Sequence, residues 1–156
     1  GARPQEGNNP LLALSEFIQK VHQIPQNKDP KAPEEIITIC QVESGHTHNV
    51  IPEVATCQGS IRSITPEVQV RLHQEIRALL DQIKKTYDVE VECQIIKGSP
   101  AIVNKGEPLI WTKRAAESVC EPKDVIQLKS TNLGAEDFGY YLQKIPGCFI
   151  RVGARY

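Results

Sequence analysis

The chain has 156 residues, of which 40% are hydrophobic and 24% charged, a composition that is typical of a folded protein and argues against disorder and a membrane span. Its 18 basic and 19 acidic residues give a formal net charge of −1. This balance argues against nucleic acid as a partner, because phosphate binding needs concentrated Lys and Arg.

The start of the chain and its cysteines bear on its origin. Met is absent even from position 1, and the opening GARPQEGNNP lacks the charged and apolar segments of a leader, so we interpret the chain as an internal fragment. No two cysteines form a CxxC motif, and four of the five lie in apolar, strand-like runs. We therefore expect reduced core thiols, a cytoplasmic location and no structural zinc site.

The first hundred residues contain five predicted elements. Both helices begin with a capping side chain followed by proline, Asn9–Pro10 and Thr65–Pro66, and continue with apolar residues at helical spacing. The strands are β-branched or alternate between apolar and polar residues. In chain order we predict a helix over 10–23, strands over 35–43 and 55–62, a helix over 66–86 and a strand over 88–96.

This order predicts an α+β fold. One further strand in front would complete the βαββαβ unit of a ferredoxin-like two-layer sandwich, so the chain is a sandwich that lacks its first strand. Gly, Ser and Pro residues near position 100 divide the chain into a domain over 1–100 and a short α/β segment over 101–156. In that segment, which is too small to stand alone, we predict helices over 107–119 and 135–145 and strands over 124–129 and 147–152.

Two polar side chains bracket the second predicted strand. Asn49 precedes it and Arg62 ends it, and an amide together with a guanidinium can bind a carboxylate. The alternative is a turn residue and a solvated strand-end charge. His46 and His48 also leave alternatives open, because they could bind a metal, touch a substrate or form an exposed pair in a turn.

Three segments carry a family resemblance. The string NVIP followed by GSIR resembles the lid, or dimerisation, domain of the M20 family of metal-dependent amidohydrolases and peptidases. The opening GARPQEGNNPLLAL is similar to the start of that domain, and GAEDFGYYLQKIPGCFIRVGAR is similar to the late catalytic domain of the N-acyl-amino-acid amidohydrolase branch. The three segments occur in the order of the family, which makes the resemblance specific.

The resemblance implies a function. The intact protein would be a dinuclear-metal amidohydrolase that uses two zinc or manganese ions to hydrolyse N-acyl amino acids or small peptides. Asn49, Arg62 and Gly134 would hold the carboxylate of this small-molecule substrate, and the lid domain would form a homodimer. The metal ligands, the general base and the lid histidine of the family fall outside these residues, so the chain alone is expected to be inactive. Glu136 and Asp137 are expected to cap a helix and not to bind metal.

Two other functions remain as alternatives. The chain could be a non-catalytic oligomerisation or ligand-binding module that dimerises through an edge strand or a helix. An RNA-binding ferredoxin-like domain would need aromatic residues on its strands. The chain has three Phe and four Tyr, and none of them falls in the three central predicted strands.

Overall fold

The computed structural model describes residues 3–26, 34–128 and 131–153. It contains two compact units, Gly1–Ile96 and Lys97–Tyr156. The assignment of the second unit to a larger catalytic domain stays a prediction. The first unit contains helix α1 (Pro10–Val21), strands β1 (Glu35–Ser44) and β2 (Ala55–Ser63) and helix α2 (Pro66–Tyr87). The second contains helices α3 (Gly106–Val119) and α4 (Phe138–Leu142).

Strands β1 and β2 form an antiparallel hairpin. Glu35 lies opposite Ser63 at one end, and Ser44 lies opposite Ala55 at the end that the loop over 45–54 closes. The Ser44 hydroxyl donates to the carbonyl of Val54 at 3.1 Å and fastens the base of this loop. The two strands and the loop therefore have the order and position that the sequence predicts.

A glycine is required at the irregular point of the hairpin. The ladder register shifts between Ile39 and Gln41, which is a β-bulge, and Gly59 pairs with Ile39 beside it. A Cβ atom built on Gly59 would lie 2.3 Å from the backbone carbonyl oxygen of Thr38. No larger residue fits there unless the two strands separate.

Both helices of the first unit begin where the capping residues predict. The Asn9 Oδ1 accepts from the backbone N–H groups of Leu11 and Leu12, at 3.1 and 3.4 Å, and the Thr65 hydroxyl accepts from Val68 at 3.3 Å. Their apolar faces meet over the hairpin. The buried core joins side chains of α1, β1 and α2: Ala13, Phe17, Val21, Ile37, Leu72, Ile76, Leu79 and Ile83.

A polar contact ties the end of α2 to α1. The Tyr87 hydroxyl donates to Glu16 at 2.5 Å, and Lys20 pairs with the same carboxylate at 2.5 Å. The hydrogen bonds from Lys20 and Tyr87 lower the pKa of Glu16, and the Glu16 carboxylate raises the pKa of Tyr87. The contact therefore requires an ionised Glu16 and a protonated Tyr87.

The pKa of Glu16 should respond when Tyr87 is replaced by phenylalanine. Without the phenol donor we expect this pKa to rise toward its usual value of 4.5, while Lys20 keeps it below that value. Because the folded pKa of Glu16 is lowered, its stabilising contribution is present above pH 4.5 and is lost as the pH falls. Because the pKa of Tyr87 is raised, its contribution is present below pH 10 and is lost as the pH rises.

NMR titration of the Glu16 carboxyl carbon in the wild type and in Tyr87→Phe measures this change. The carboxyl of Glu6, on the short 3-10 turn Pro4–Glu6, is an internal control. An unchanged Glu16 titration would show that the hydroxyl contributes nothing to the contact.

Three predicted strands are not formed in the part of the chain that the structure describes. Residues 88–96, 125–128 and 147–152 lie outside regular secondary structure, and the sheet of the first unit has two strands. In 89–96 the predicted alternation of burial persists except at Cys93: Val89, Val91 and Ile95 are partly buried, whereas Glu90, Glu92 and Cys93 are exposed. Alternation predicts which side chains a segment buries, but a strand also needs a neighbour for its hydrogen bonds, and none pairs with it here.

The last predicted helix is shorter than 135–145, and its expected cap is wrong. Helix α4 begins at Phe138, and the Asp137 side chain at its N-cap position makes no capping hydrogen bond. The Asp137 carboxylate instead accepts from the hydroxyl of Ser99 at 3.2 Å. Gly139 packs against the backbone of Pro100, whose carbonyl oxygen would lie 2.3 Å from a Cβ there. This contact joins α4 to the start of the second unit.

The cysteines are less buried than predicted. All five are free thiols, but Cys40, Cys93 and Cys120 are exposed, and Cys57 and Cys148 are partly buried. Burial raises the pKa of the Cys57 thiol. The expected core location is wrong for the three exposed residues, because Cys40 lies at the β-bulge of β1, Cys93 lies in the segment 88–96 that forms no strand, and Cys120 is the residue that ends α3. The cytoplasmic location stays a prediction.

Candidate functional site

The loop that carries Asn49 borders a cavity at one end of the first unit. The cavity has a volume of about 540 Å³ and is open to solvent. Loop residues 45–52 form most of its lining, and Asn9 and Leu11 at the start of α1 complete it. Gly45 has a φ of 72°, a left-handed conformation that lets the chain leave β1 and turn into this loop. Asn49 is exposed on the cavity lining, as a ligand-binding donor must be.

Arg62 lies at the opposite end of the hairpin. It pairs with Ile36 near the end of β2, and the strand from Ala55 to Arg62 extends about 23 Å at about 3.3 Å per residue. Ile61 packs against the core, so the alternation of a strand directs Arg62 to the sheet face away from the helices. Arg62 is not part of the cavity lining. Within one chain, Asn49 and Arg62 therefore bracket β2 as predicted, but Arg62 does not line the cavity that Asn49 borders.

Gly134 is the third predicted substrate contact and lies in the second unit. Its backbone N–H donates to the Oδ1 of Asn132 at 2.7 Å, which closes a tight local turn. A carboxylate bound by this N–H would have to displace the Asn132 side chain. The structure thus shows which local bond competes with the predicted one.

The two loop histidines line the Asn49 cavity. His46 and His48 are both exposed and both border the cavity, so the expectation of an exposed pair in a turn is confirmed. Across residues 3–26, 34–128 and 131–153, no group of three or more His, Cys, Asp or Glu side chains is placed to hold a metal ion. The described residues do not provide a metal site.

The hairpin end near Arg62 contains a buried ion pair that sequence reasoning missed. Glu35 is only 5% exposed, and its carboxylate accepts from Arg71 of α2 and from the backbone N–H of Gln26. Arg71 also pairs with Glu75 at 2.9 Å, and these carboxylates raise the pKa of Arg71. A signal was available, because Glu35 shares the parity of Ile37 in β1 and therefore faces the core.

A comparison with protein-family models decides the family. Residues 1–88 match the peptidase dimerisation domain of the M20 family. The chain belongs to the M20 family. This match confirms the family assignment drawn from the NVIP and GSIR segments, and it places the Asn49 loop and Arg62 within the dimerisation domain, whereas the GAEDF segment lies outside the matched residues.

Curated relatives of the M20 chain are hydrolases and deacetylases. It is 27% identical over 154 residues to a probable hydrolase of Synechocystis sp., with 98% of this chain and 39% of that protein covered. It is 30% identical over 153 residues to an N-acetyldiaminopimelate deacetylase of Streptococcus thermophilus, and the alignment covers 97% of this chain and 40% of that protein. An N-acetyl-L-cysteine deacetylase of Bacillus subtilis is 28% identical over 152 residues, and the alignment covers 97% of this chain and 36% of that protein. The chain spans about two-fifths of the length of these relatives.

Solved structures show the same fold. A putative aminohydrolase from methicillin-resistant Staphylococcus aureus superposes with a TM-score of 0.72 at 22% identity, over 94% of this chain and 38% of that one. A Bacillus subtilis protein described as a dinuclear metal binding peptidase of the M20 family superposes with a TM-score of 0.69 at 23% sequence identity. The superposition covers 93% of this chain and 36% of that one. The α+β fold class predicted for the chain is confirmed. None of the described helices is both long and apolar enough to cross a membrane.

Proposed function

We propose that this M20 chain is the dimerisation domain and a C-terminal catalytic segment of a metal-dependent amidohydrolase that cleaves N-acyl amino acids. The observation that carries the proposal is the position of Asn49, an exposed amide on the lining of an open cavity in the family's dimerisation domain. Two relatives that align with 97% of this chain are named as deacetylases of N-acetylated amino acids. The cavity would hold the substrate carboxylate.

The metal ions of the proposed enzyme do not fit the described residues. Family membership implies two divalent ions, zinc or manganese, and the solved B. subtilis relative is described as binding a dinuclear metal. The described part of this chain has no cluster of ligands for them. We propose that these ions are held elsewhere in the intact protein and that the contribution of this chain is substrate binding and dimerisation.

The second unit has the surface expected of part of a larger domain. In its described residues only Gly139 is buried, and helix α3 buries none of its side chains. Large apolar residues are correspondingly exposed, among them Trp111 at 60% and Ile126 at 76%. A lone soluble domain does not normally expose so much apolar surface. This supports the proposal that further catalytic-domain residues cover it in the intact protein.

A twofold dimer would bring the two carboxylate donors together. Asn49 and Arg62 lie at opposite ends of the hairpin, so one chain does not place both on the same small anion. When two copies of a strand pair antiparallel about a twofold axis, the start of one lies beside the end of the other. Asn49 of one copy would then approach Arg62 of a second copy. A homodimer through the dimerisation domain is part of the proposal.

Single substitutions in the intact protein test the carboxylate role. We expect Asn49→Ala and Arg62→Ala each to raise KM for an N-acetyl amino acid and to lower kcat/KM by about tenfold or more, since hydrogen bonds to charged groups contribute about 1.5–3 kcal/mol. Gln58→Ala, on the same strand face as Arg62, is the matched control. Unchanged kinetics in both variants would remove the assigned roles.

Mixing the two variants tests whether the donors come from different copies. A mixed dimer of Asn49→Ala and Arg62→Ala chains would contain one site that lacks both donors and one site with both intact. Random exchange of subunits should then restore about a quarter of the wild-type sites. Absence of any recovery would show that one chain supplies both donors. If the intact protein hydrolyses no N-acyl amino acid, the non-catalytic module is the better description.

A further inference from the structure

The cavity at Asn49 has an unusual set of lining groups. Its lining contains no Asp, Glu, Lys or Arg, although a quarter of the chain is charged. Two imidazoles, His46 and His48, lie within three residues of Asn49 on the same lining. Nearby, the Oδ1 of Asn9 accepts the capping hydrogen bonds of α1, and the same side chain carries two further N–H donors.

These groups have the chemistry of an anion site. A neutral imidazole can donate one hydrogen bond and a protonated one two, and an amide can donate two, so the cavity is rich in donors. A carboxylate among the lining residues would repel an anion, and there is none. Arg62, the cation expected to pair with Asn49, lies near the far end of β2, about 23 Å along the strand from Ala55, and does not line the cavity. Among the residues that line the cavity, only the two histidines can carry a positive charge.

We propose that His46 and His48 are further binding residues for the carboxylate that Asn49 contacts, and that they make this cavity selective for anionic over neutral ligands. The inference rests on the proposed function, because it takes Asn49 as a carboxylate donor. It adds the two imidazoles to the site and gives the loop a specificity role. Both rings are exposed at the cavity, so neither must be uncovered before it can bind.

Binding to the intact protein, with its metals removed by a chelator so that the probe is not hydrolysed, gives the first test. The probes are N-acetylglycine, which carries the carboxylate, and N-acetylglycinamide, its neutral counterpart. NMR should show the ring signals of His46 and His48 and the side-chain amide of Asn49 shifting with N-acetylglycine and staying unchanged with the amide. His22, held by the Ile18 carbonyl at 2.7 Å, and His73 on α2 do not line the cavity and are internal controls.

The outcomes separate the inference from the proposed function. If Asn49 shifts and neither histidine does, the histidine role is overturned and the role of Asn49 stands. If the two probes shift the histidines equally, the anion selectivity is overturned. If none of the three residues responds, the cavity is not a carboxylate site, and the assigned role of Asn49 fails as well.

Kinetics of the intact enzyme give the second test. A His46→Ala/His48→Ala double variant should raise KM for N-acetyl amino acids about tenfold and leave kcat within about twofold, because binding residues act on affinity. Val54→Ala, in the same loop over 45–54 but outside the cavity lining, is the control for damage to the loop and should keep the wild-type KM. A wild-type KM in the double variant, beside a raised KM in Asn49→Ala, would overturn the inference alone.

Discussion

Replacing Leu72 by alanine is expected to lower the free energy of unfolding of the first unit by about 3–4 kcal/mol. Leu72 is 0% exposed and lies at the centre of the α2 face that packs on α1 and β1. Its neighbours Val21 and Ile76 belong to rigid elements and can close only part of the space that the side chain leaves. The loss therefore combines the transfer free energy of the side chain with the cost of a residual cavity.

Hydrogen exchange of backbone amides in α1 and α2 measures this loss for the first unit alone. The single tryptophan, Trp111, is in α3 of the second unit, so its fluorescence would not report on this core. Leu12→Ala is the matched control: it is the same substitution in α1 at a side chain that is 54% exposed. We expect the control to cost less than about 1 kcal/mol. Equal losses in the two variants would contradict the assigned core.

The helices were the most predictable part of the fold. Asn9–Pro10 and Thr65–Pro66 are local signals, and each acts through a side chain only two or three residues from the N–H groups that it caps. The hairpin was also predicted, because apolar alternation in β2 is reinforced by its neighbour β1. Strand 88–96 was not formed, since its alternation lacked a hydrogen-bonded partner. Local sequence patterns predict which side chains of a segment are buried, whereas the pairing of strands in a sheet depends on residues far away in the sequence.

The candidate site was predictable in part for the same reason. The position of Asn49 in a loop before β2, and of Arg62 near the end of β2, follows from the order of residues. Their separation also follows from the sequence, because two residues that bracket an extended strand lie far apart along it and not side by side. The bond between the Gly134 N–H and Asn132 is a feature of side-chain geometry that sequence order does not reveal. Only the structure showed that His46, His48 and Asn49 share a cavity.

Different contacts stabilise the two ends of the hairpin, which carry the two proposed carboxylate donors, Asn49 and Arg62. The Asn49 end is a loop whose base is fastened by the hydrogen bond from the Ser44 hydroxyl to Val54. The Arg62 end lies next to Glu35, a buried charge that Arg71 ties to α2. A change at this second end should therefore disturb Arg62 more than Asn49, and it should do so through an electrostatic contact.

Arg71→Leu is the second substitution with a large expected effect. It removes the Arg71 guanidinium from the Glu35 carboxylate, whose side chain is 4% exposed. Removing one member of a buried ion pair costs about 3–5 kcal/mol, and we expect about 3 kcal/mol because the Gln26 N–H still bonds the carboxylate. Urea unfolding followed by circular dichroism, together with α2 hydrogen exchange, measures the change.

Two further variants test whether the loss of stability in Arg71→Leu comes from the buried charge of the Glu35 carboxylate. Lys84→Leu removes a cation from the same helix, but its partner Glu90 has a side chain that is 89% exposed, so we expect a loss below about 1 kcal/mol. A Glu35→Leu/Arg71→Leu double variant should recover most of the stability lost in Arg71→Leu, because the carboxylate that Arg71 neutralised is no longer buried in the hairpin end. If the double variant is instead less stable than Arg71→Leu, Glu35 stabilises the fold through contacts other than Arg71, such as the Gln26 N–H.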